Sequence, residues 1–431
     1  MRAAPLILDR LERLTGMSFK RELGLLSATS LGIGGILGAG IFVLSGVAIS
    51  EAGPAAILSF VIGALLSLMI GFSYITLSKA FPGEGGAYYY AAKSYSHRYS
   101  FLTGWIYFGA WIIASGYVTL GFGEYVHSMT GLPAIPVGVA LIVVLTGMNL
   151  LGVKISGWFQ TALIVAELVL LVLVFGAGLP HINIGNFHPI LPNGLHPMLS
   201  ASLLGFLSLT GWDVIAVASK EIKNANKNVP LSIFASIMVV SVVYIALVFV
   251  MVGLYPYQSY TGNAAPVVMA VSKVFGNHIS TILVGCIVSI ALVATTNSFI
   301  MVTSRTLHAL SSNTGFPRFL SWTSNIGVPW VSILVVNLLK TIVLILGNLG
   351  LYTGGTGFLY LVSFILTLLC LPPFNRSFPI RVKRIYQILT VLSVLLSLFV
   401  LVNNTKEGTI YGVLWVLIGL VLYSIWGKAI S

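Results

Sequence analysis

Apolar residues run through this chain in blocks of about twenty with few polar interruptions, the length needed to cross a hydrocarbon core of roughly 30 Å. Twelve such blocks can be marked: Leu23 to Ile49, Pro54 to Ala80, Phe101 to Tyr125, Ile135 to Leu151, Trp158 to Leu179, Met198 to Ser219, Val229 to Leu254, Ile279 to Leu310, Val328 to Leu346, Thr356 to Leu371, Ile385 to Val402 and Ile410 to Trp426. The pattern predicts an all-α integral membrane protein with twelve transmembrane helices. The first block starts only near Leu23 and is too long for the core of a cleavable signal, so insertion is expected through the spans themselves.

The polar positions between the blocks set the orientation. An even number of spans puts both termini on one side, and an excess of Lys and Arg marks the cytoplasmic face. With the N-terminus inside, all but Lys273, Lys340 and Lys406 of the 22 basic residues fall on that face. The clusters there include Arg10, Arg13, Lys20 and Arg21, then Lys220, Lys223 and Lys227, then Arg376, Arg381, Lys383 and Arg384. The expected location is the cell membrane, with both termini cytoplasmic.

Composition sharpens this. Only 7% of the 431 residues are charged, against about a quarter in soluble domains, so lipid must replace the missing charged coat. The net charge of +12 is spread over short loops rather than gathered on one face with exposed aromatics, which argues against nucleic acid as a partner. Cys286 and Cys370 both fall inside apolar blocks. Neither a disulfide framework nor a metal site is indicated, and no cofactor is expected. His181, His188 and His196 crowd one loop without spacing that demands a metal.

The first and sixth blocks share glycines in mid-span: Gly32, Gly34, Gly35, Gly38 and Gly40 in one, Gly205 and Gly211 in the other. Matching interruptions five spans apart suggest an inverted repeat. Gly53 and Pro54 open the second span and Pro230 the seventh, each followed by a long connector, 81–100 and 255–278. The expected organisation is a cytoplasmic segment 1–22, a first repeat 23–179 (helices 1–5), a second repeat 180–371 (helices 6–10) and two extra helices in 372–431. An odd number of spans per repeat inverts one unit relative to the other, which is the architecture of alternating access.

Around Gly38 the run Ile36-Leu37-Gly38-Ala39-Gly40-Ile41-Phe42 lies where backbone in lipid must satisfy itself. An unwinding there frees N–H groups that, at the positive end of a half-helix, can bind a carboxylate. Small residues also serve close helix packing, so that reading stays open. A dinucleotide fingerprint fails, because after Gly32 and Gly34 the third glycine comes at 38 with no strand before it.

These residues resemble the amino-acid permeases of the amino acid-polyamine-organocation superfamily, which have the leucine-transporter fold. The resemblance is carried by Arg21-Glu22-Leu23-Gly24-Leu25 leading into Gly38-Ala39-Gly40-Ile41-Phe42, by Gly53-Pro54-Ala55-Ala56, and by Phe81-Pro82-Gly83-Glu84-Gly85-Gly86-Ala87-Tyr88. Thr103-Gly104-Trp105, Gly211-Trp212-Asp213, Glu221-Ile222-Lys223-Asn224 and Asn228-Val229-Pro230 continue it. It implies a 5+5 inverted repeat with broken helices 1 and 6. It also implies a substrate site in which the N–H groups of Ala39 and Gly40 hold a carboxylate, while carbonyls of Ile36, Leu207 and Thr210 receive an ammonium. Gly38, Ile41 and Phe206 complete that pocket, Phe206 standing beside Leu207, where the family often has an aromatic gate.

Charges inside the spans ask for explanation, because a carboxylate at the bilayer centre costs about 2.5–3.5 kcal/mol. Glu167 lies in mid-span, seven residues after Gln160. Some proton-dependent relatives carry a lysine at that offset, filling the space where sodium-coupled members bind an ion. Partners for Glu167 are expected from Thr295, Thr296 and Ser298 and from the carbonyls of Gly34 and Leu37. Proton exchange, sodium coordination and a purely structural acid are all open to it. Asp213 either caps the half-helix that follows it or senses substrate and proton during gating. For Lys340 a snorkelling or paired role is expected. Among Trp105, Tyr107, Phe108, Trp111 and Tyr117, one or two are expected at the pocket and the rest in packing.

The function that follows is secondary active transport of amino acids by alternating access, with proton symport first and a sodium-coupled symporter or an exchanger of the same fold as the alternative. No phosphate-binding loop for direct ATP drive is present in the sequence. No cluster of catalytic groups suggests an enzyme, and stereoselective, saturable uptake would separate a carrier from a pore.

Overall fold

A computed structural model describes residues 21–81, 86–263, 266–314, 316–347, 351–371, 380–402 and 406–426. Pro82, Gly83, Glu84 and Gly85 of the long motif lie outside them, as do Arg10, Arg13, Lys20, Arg376 and the side chains of Arg381 and Lys383. The first apolar block forms two helices, α1 (Leu25–Ile36) and α2 (Ala39–Ala52), and a 3-10 turn, Gly53–Ala55, leads into α3 (Ala56–Ala80). Pro54 suits that turn, since its missing N–H would have had no helical acceptor there. A short α4 (Ala87–Ser94) precedes α5 (His97–Thr130), α6 (Ala134–Leu150) and α7 (Val153–Gly178).

The sixth block is again divided, into α8 (Leu195–Ser208) and a single turn, α9 (Val214–Val217). Then come α10 (Ala225–Leu254), α11 (Pro266–Phe275), α12 (Asn277–Thr314), α13 (Trp330–Leu346), α14 (Thr356–Leu368), α15 (Ile380–Val402) and α16 (Lys406–Trp426). Each apolar block of the sequence overlaps a helix, and α4 and α11 are additional helices within the two long connectors. By length and apolar character, seven stretches of the described residues could cross a membrane, with shorter apolar helices beside them. This is a multi-pass helical membrane protein.

Burial shows which helices hold the centre. The apolar window of α5 is 78% buried, whereas those of α7 and α16 are 29% and 17% buried. Large apolar side chains such as Trp158, Leu173, Leu346 and Ile425 point outward. In water such a surface would associate; in a bilayer it is the correct solvent-facing coat. Many hydroxyls inside the bundle bond back to their own helix, as Ser115 does to the Trp111 carbonyl (2.7 Å) and Thr119 to that of Ser115 (2.7 Å), and these add no unsatisfied polar group.

Glycines bring α3 against α8. A methyl group on Gly63 would stand 2.5 Å from the Phe206 nitrogen, and one on Gly205 would stand 3.0 Å from the Ser59 carbonyl oxygen. Gly205 therefore serves close packing, and of the two glycines that flagged the sixth block only Gly211 belongs to its interruption.

Candidate functional site between two interrupted helices

α1 stops at Ile36 because Leu37 (φ −65°, ψ 105°) and Gly38 (φ −162°, ψ −162°) are extended. The last carbonyls of α1 and the first N–H groups of α2 then lack partners within their own helices, and Gly38 has no side chain to cap them. The break after α8 turns on Gly211, whose φ of 119° favours glycine. The last turn of α1 meets the second interruption backbone to backbone: a methyl on Gly35 would lie 2.4 Å from the Gly211 oxygen, and one on Gly211 would lie 2.1 Å from the Gly35 oxygen. Gly40, in the first turn of α2, faces the Ser208 backbone, with 3.4 Å left for a methyl.

The residues expected around a substrate flank these two interruptions in the chain. Ile36, Gly38, Ala39, Gly40 and Ile41 line one interruption; Phe206, Leu207 and Thr210 line the other. Two of the expected ammonium acceptors differ in availability. The Ile36 carbonyl takes one hydrogen bond, from the Tyr244 hydroxyl (3.1 Å), which leaves its second lone pair. The Leu207 carbonyl instead takes the Thr210 hydroxyl (2.7 Å), the Thr210 N–H (3.3 Å) and the Leu209 N–H. The tight turn after α8 saturates it, so the expectation that Leu207 receives an ammonium does not fit this conformation. Phe206 is buried against α3 and Leu207 is half-buried.

Of the two roles open to Asp213, capping does not fit its geometry. Its backbone is helical (φ −68°, ψ −13°), not the extended geometry a capping residue uses, and its side chain makes no cap bond to α9. The carboxylate is held instead by two phenols, Tyr107 of α5 (2.5 Å) and Tyr360 of α14. Trp111 stands edge-on to Tyr360 (5.4 Å between ring centres) and to Phe299 (4.5 Å), so Tyr107 and Trp111 are the α5 aromatics that reach this region. Trp105 and Phe108 pack elsewhere, with Trp105 stacked 4.9 Å from Trp415.

Beyond α9 the Glu221 carboxylate meets the Arg305 guanidinium at 2.8 Å, both side chains being buried. The Glu221 carbonyl also receives the N–H groups of Glu22 and Leu23 (3.0 Å each), and Lys223 donates to the Leu23 carbonyl (2.8 Å). These bonds form an isolated parallel bridge, Leu23 with Ile222, that sews the segment before α1 to the segment after α9.

Glu167 does not receive the partners expected for it. Both carboxyl oxygens are fully buried without a hydrogen bond among the described residues. The neighbouring groups are already engaged: Thr295 donates to the Leu37 carbonyl, Thr296 to the Leu292 carbonyl (2.7 Å) and Ser298 to the Leu31 carbonyl (3.3 Å). Ser298 also accepts from the Gln160 amide (3.1 Å), whose oxygen is bonded by Asn297 (2.9 Å). The Gln160 amide lies so close to α1 that a methyl on Gly34 would be 1.8 Å from its nitrogen. Gly34 is thus occupied by an amide rather than by Glu167. Lys340 likewise neither snorkels nor pairs: it is fully buried, and its ammonium nitrogen has no acceptor among the described residues.

A family model described as amino acid permease matches residues 23–425, which takes in both interruptions and every helix but the end of the last. The chain belongs to the amino acid permease family. Within it, this permease is 25% identical to a branched-chain amino acid permease, BcaP, of Bacillus subtilis, across 95% of its own length and 94% of that protein. It is 26% identical to the BcaP of Lactococcus lactis, across 93% of each. A gamma-aminobutyric acid permease of Escherichia coli is 27% identical across 71% of this chain and 69% of its own length.

Four residues of the permease's interior did not stand out in its sequence: Tyr244, Tyr360, Arg305 and Asn297. Only Arg305 carried a usable signal, as a guanidinium inside an apolar block with an acid, Glu221, in a neighbouring motif. The tyrosines and the asparagine acquire their roles from the facing of helices.

Proposed function

We propose that this permease carries free, neutral amino acids across the cell membrane by alternating access, coupled to protons. The reading includes twelve spans in a 5+5 inverted repeat with two extra helices, and both termini in the cytoplasm. The observation that supports it best is the meeting of the last turn of α1, at Gly35, with the uncoiled backbone at Gly211, beside the uncapped first turn of α2. A zwitterion needs donors for its carboxylate and acceptors for its ammonium, and bare peptide supplies both. Ala39 and Gly40 would offer N–H groups; Ile36 and Thr210 would offer carbonyls. Ile41, Phe206, Leu207, Trp111 and Phe299 supply an apolar surround, while Asp213 is already committed to two phenols. This favours an uncharged side chain on the substrate, in keeping with the branched-chain names of two relatives.

Coupling is assigned to Glu167. A buried acid with no cation and no donor beside it is inexpensive only when neutral, so it holds a proton where an ionised acid would need a partner. Sodium is disfavoured because the Gln160 amide nitrogen, a donor that cannot ligate a cation, stands against Gly34 and bonds Ser298. In proteoliposomes, L-leucine is expected to accumulate when the outside is acid, to lose that accumulation with a protonophore, and to be indifferent to exchange of sodium for potassium. Uptake that requires a sodium gradient, or amino acid on the far side, would overturn the coupling. Absence of thermal stabilisation by every amino acid tested would overturn the substrate class.

A further inference from the structure

Asn149, Asn297, Gln160 and Ser298 form a continuous chain of hydrogen bonds through the interior, and all four are buried. Asn149 of α6 donates through its amide nitrogen to the Asn297 oxygen of α12 (2.8 Å) and to the Leu145 carbonyl of its own helix (2.9 Å). The Asn297 nitrogen donates to the Gln160 oxygen of α7 (2.9 Å), the Gln160 nitrogen to the Ser298 hydroxyl (3.1 Å), and that hydroxyl to the Leu31 carbonyl of α1 (3.3 Å). Ser156 gives the Asn297 oxygen a second donor (3.2 Å). The direction of an amide follows from its partners, and here one backbone group sets them all. A carbonyl only accepts, so Leu145 holds the Asn149 nitrogen in place. That nitrogen takes the Asn297 oxygen, which leaves the Asn297 nitrogen for the Gln160 oxygen. The Gln160 nitrogen is then the atom turned to Ser298 and to α1 at Gly34.

We propose that Asn297 is the positioning residue that sets the ion preference of this permease: by aiming the Gln160 nitrogen at α1, it keeps a donor where a sodium ion would require an oxygen. The proposal rests on the reading that transport is indifferent to sodium, and it names what enforces that indifference. The Ser298 hydroxyl and the Leu31 carbonyl are oxygens of the kind that hard cations accept. A Gln160 oxygen facing α1 would add a third. Turning Gln160 alone, however, sets its nitrogen against the Asn297 nitrogen, donor to donor. A buried donor left without an acceptor is costly, so the chain as a whole resists the turn. No charge is needed for this; the exclusion is a matter of which end of one amide points forward.

The test is thermal unfolding of the purified full-length protein in sodium, potassium and choline chlorides. A bound ion stabilises by mass action, and about tenfold excess over its dissociation constant should raise the unfolding temperature by about 2 °C. The wild type should unfold alike in all three salts. Asn297→Leu nearly keeps the size of the side chain and leaves Gln160 free to turn. It should be less stable overall but gain a saturable rise in sodium alone. Asn297→Ser, too short to reach Gln160, carries the same expectation where Asn297→Leu does not fold. Gln160→Glu puts an oxygen in place of the nitrogen and should gain a larger rise. Ser156→Ala removes a bond from the same asparagine without freeing Gln160, and should gain none. A sodium response in the wild type overturns the sodium-independent reading beneath the proposal. A response in Gln160→Glu but in neither Asn297 variant overturns the role of Asn297, as does an equal response in Ser156→Ala. No response in Gln160→Glu overturns the exclusion of sodium by the Gln160 nitrogen.

Discussion

Asp213 and Glu167 are both fully buried, yet their surroundings treat them in opposite ways. Asp213 receives hydroxyls from two helices, α5 and α14, and Glu221, a few residues on, receives a guanidinium from α12. Each of these acids joins elements that are distant in sequence. Glu167 receives nothing from the described residues around it. A carboxylate in low dielectric is tolerable when donors surround it and costly when they do not. The first region surrounds its acids with donors and uses them as a fastening between helices. The second gives its acid no donor, which favours the neutral form and is the feature on which the proposed proton coupling rests.

The contrast can be broken most severely at Arg305. Arg305→Met leaves the Glu221 carboxylate buried without its partner, a change that costs about 3–5 kcal/mol, and a large drop in the thermal unfolding temperature of the purified protein is expected. Glu221→Leu combined with Arg305→Leu should recover much of that loss, since it removes both desolvated charges together. If Arg305→Met unfolds like the wild type, the pair is not a fastening.

A smaller effect is expected one step nearer the substrate region. Tyr360→Phe deletes one of the two donors to Asp213, and a hydrogen bond to a charged group contributes about 1.5–3 kcal/mol. Tyr107→Phe should cost a similar amount. Because both phenols serve one carboxylate, the double variant should depart from the sum of the single changes. Strict additivity in unfolding measurements would mean that the two tyrosines do not act through Asp213.

The sequence pattern carried the helices and the position of the first interruption, because hydropathy and mid-span glycine are local signals: Gly38 lies where α1 and α2 part. Partners were another matter. Glu221 and Arg305 are 84 positions apart, and nothing local separates Tyr107, Tyr244 and Tyr360, which reach Asp213 or the end of α1, from the other 15 of the 18 tyrosines. Gly205 and Gly211 read alike in the sequence, but one faces the backbone of α3 and the other turns the chain. A cap at Asp213 was the natural expectation from residue type and failed on backbone geometry, which residue type does not specify. What escaped the pattern is consistently the facing of one helix toward another.

Lys340 extends the comparison to a base. It is buried like Glu167 and has no acceptor among the described residues; the Asn337 amide nitrogen donates to the Thr146 hydroxyl (2.7 Å), and the Asn337 oxygen is bonded neither to Lys340 nor to another described residue. An amine in such a place gains no hydrogen bond to offset its desolvation. Lys340→Met keeps the length and removes the polar atom, so a stabilisation of about 1 kcal/mol is expected, read as a modest rise in unfolding temperature. A fall instead would show that the amine is satisfied by something in the folded protein.

The smallest change in stability, and the sharpest test of the comparison, is Glu167→Gln. An amide and a neutral acid have similar shape and similar polarity. If Glu167 is uncharged in the folded protein at acid pH, the substitution should move the unfolding temperature there by less than about 1 kcal/mol would. The corresponding change Asp213→Asn should be costly, because a neutral amide cannot accept both phenols as an ionised carboxylate does. Glu167→Gln should nevertheless abolish acid-driven accumulation of L-leucine while exchange of leucine across the membrane continues, since the substrate site is untouched and only the proton is lost. Equal destabilisation by Glu167→Gln and Asp213→Asn would erase the distinction between a fastening acid and a titrating one.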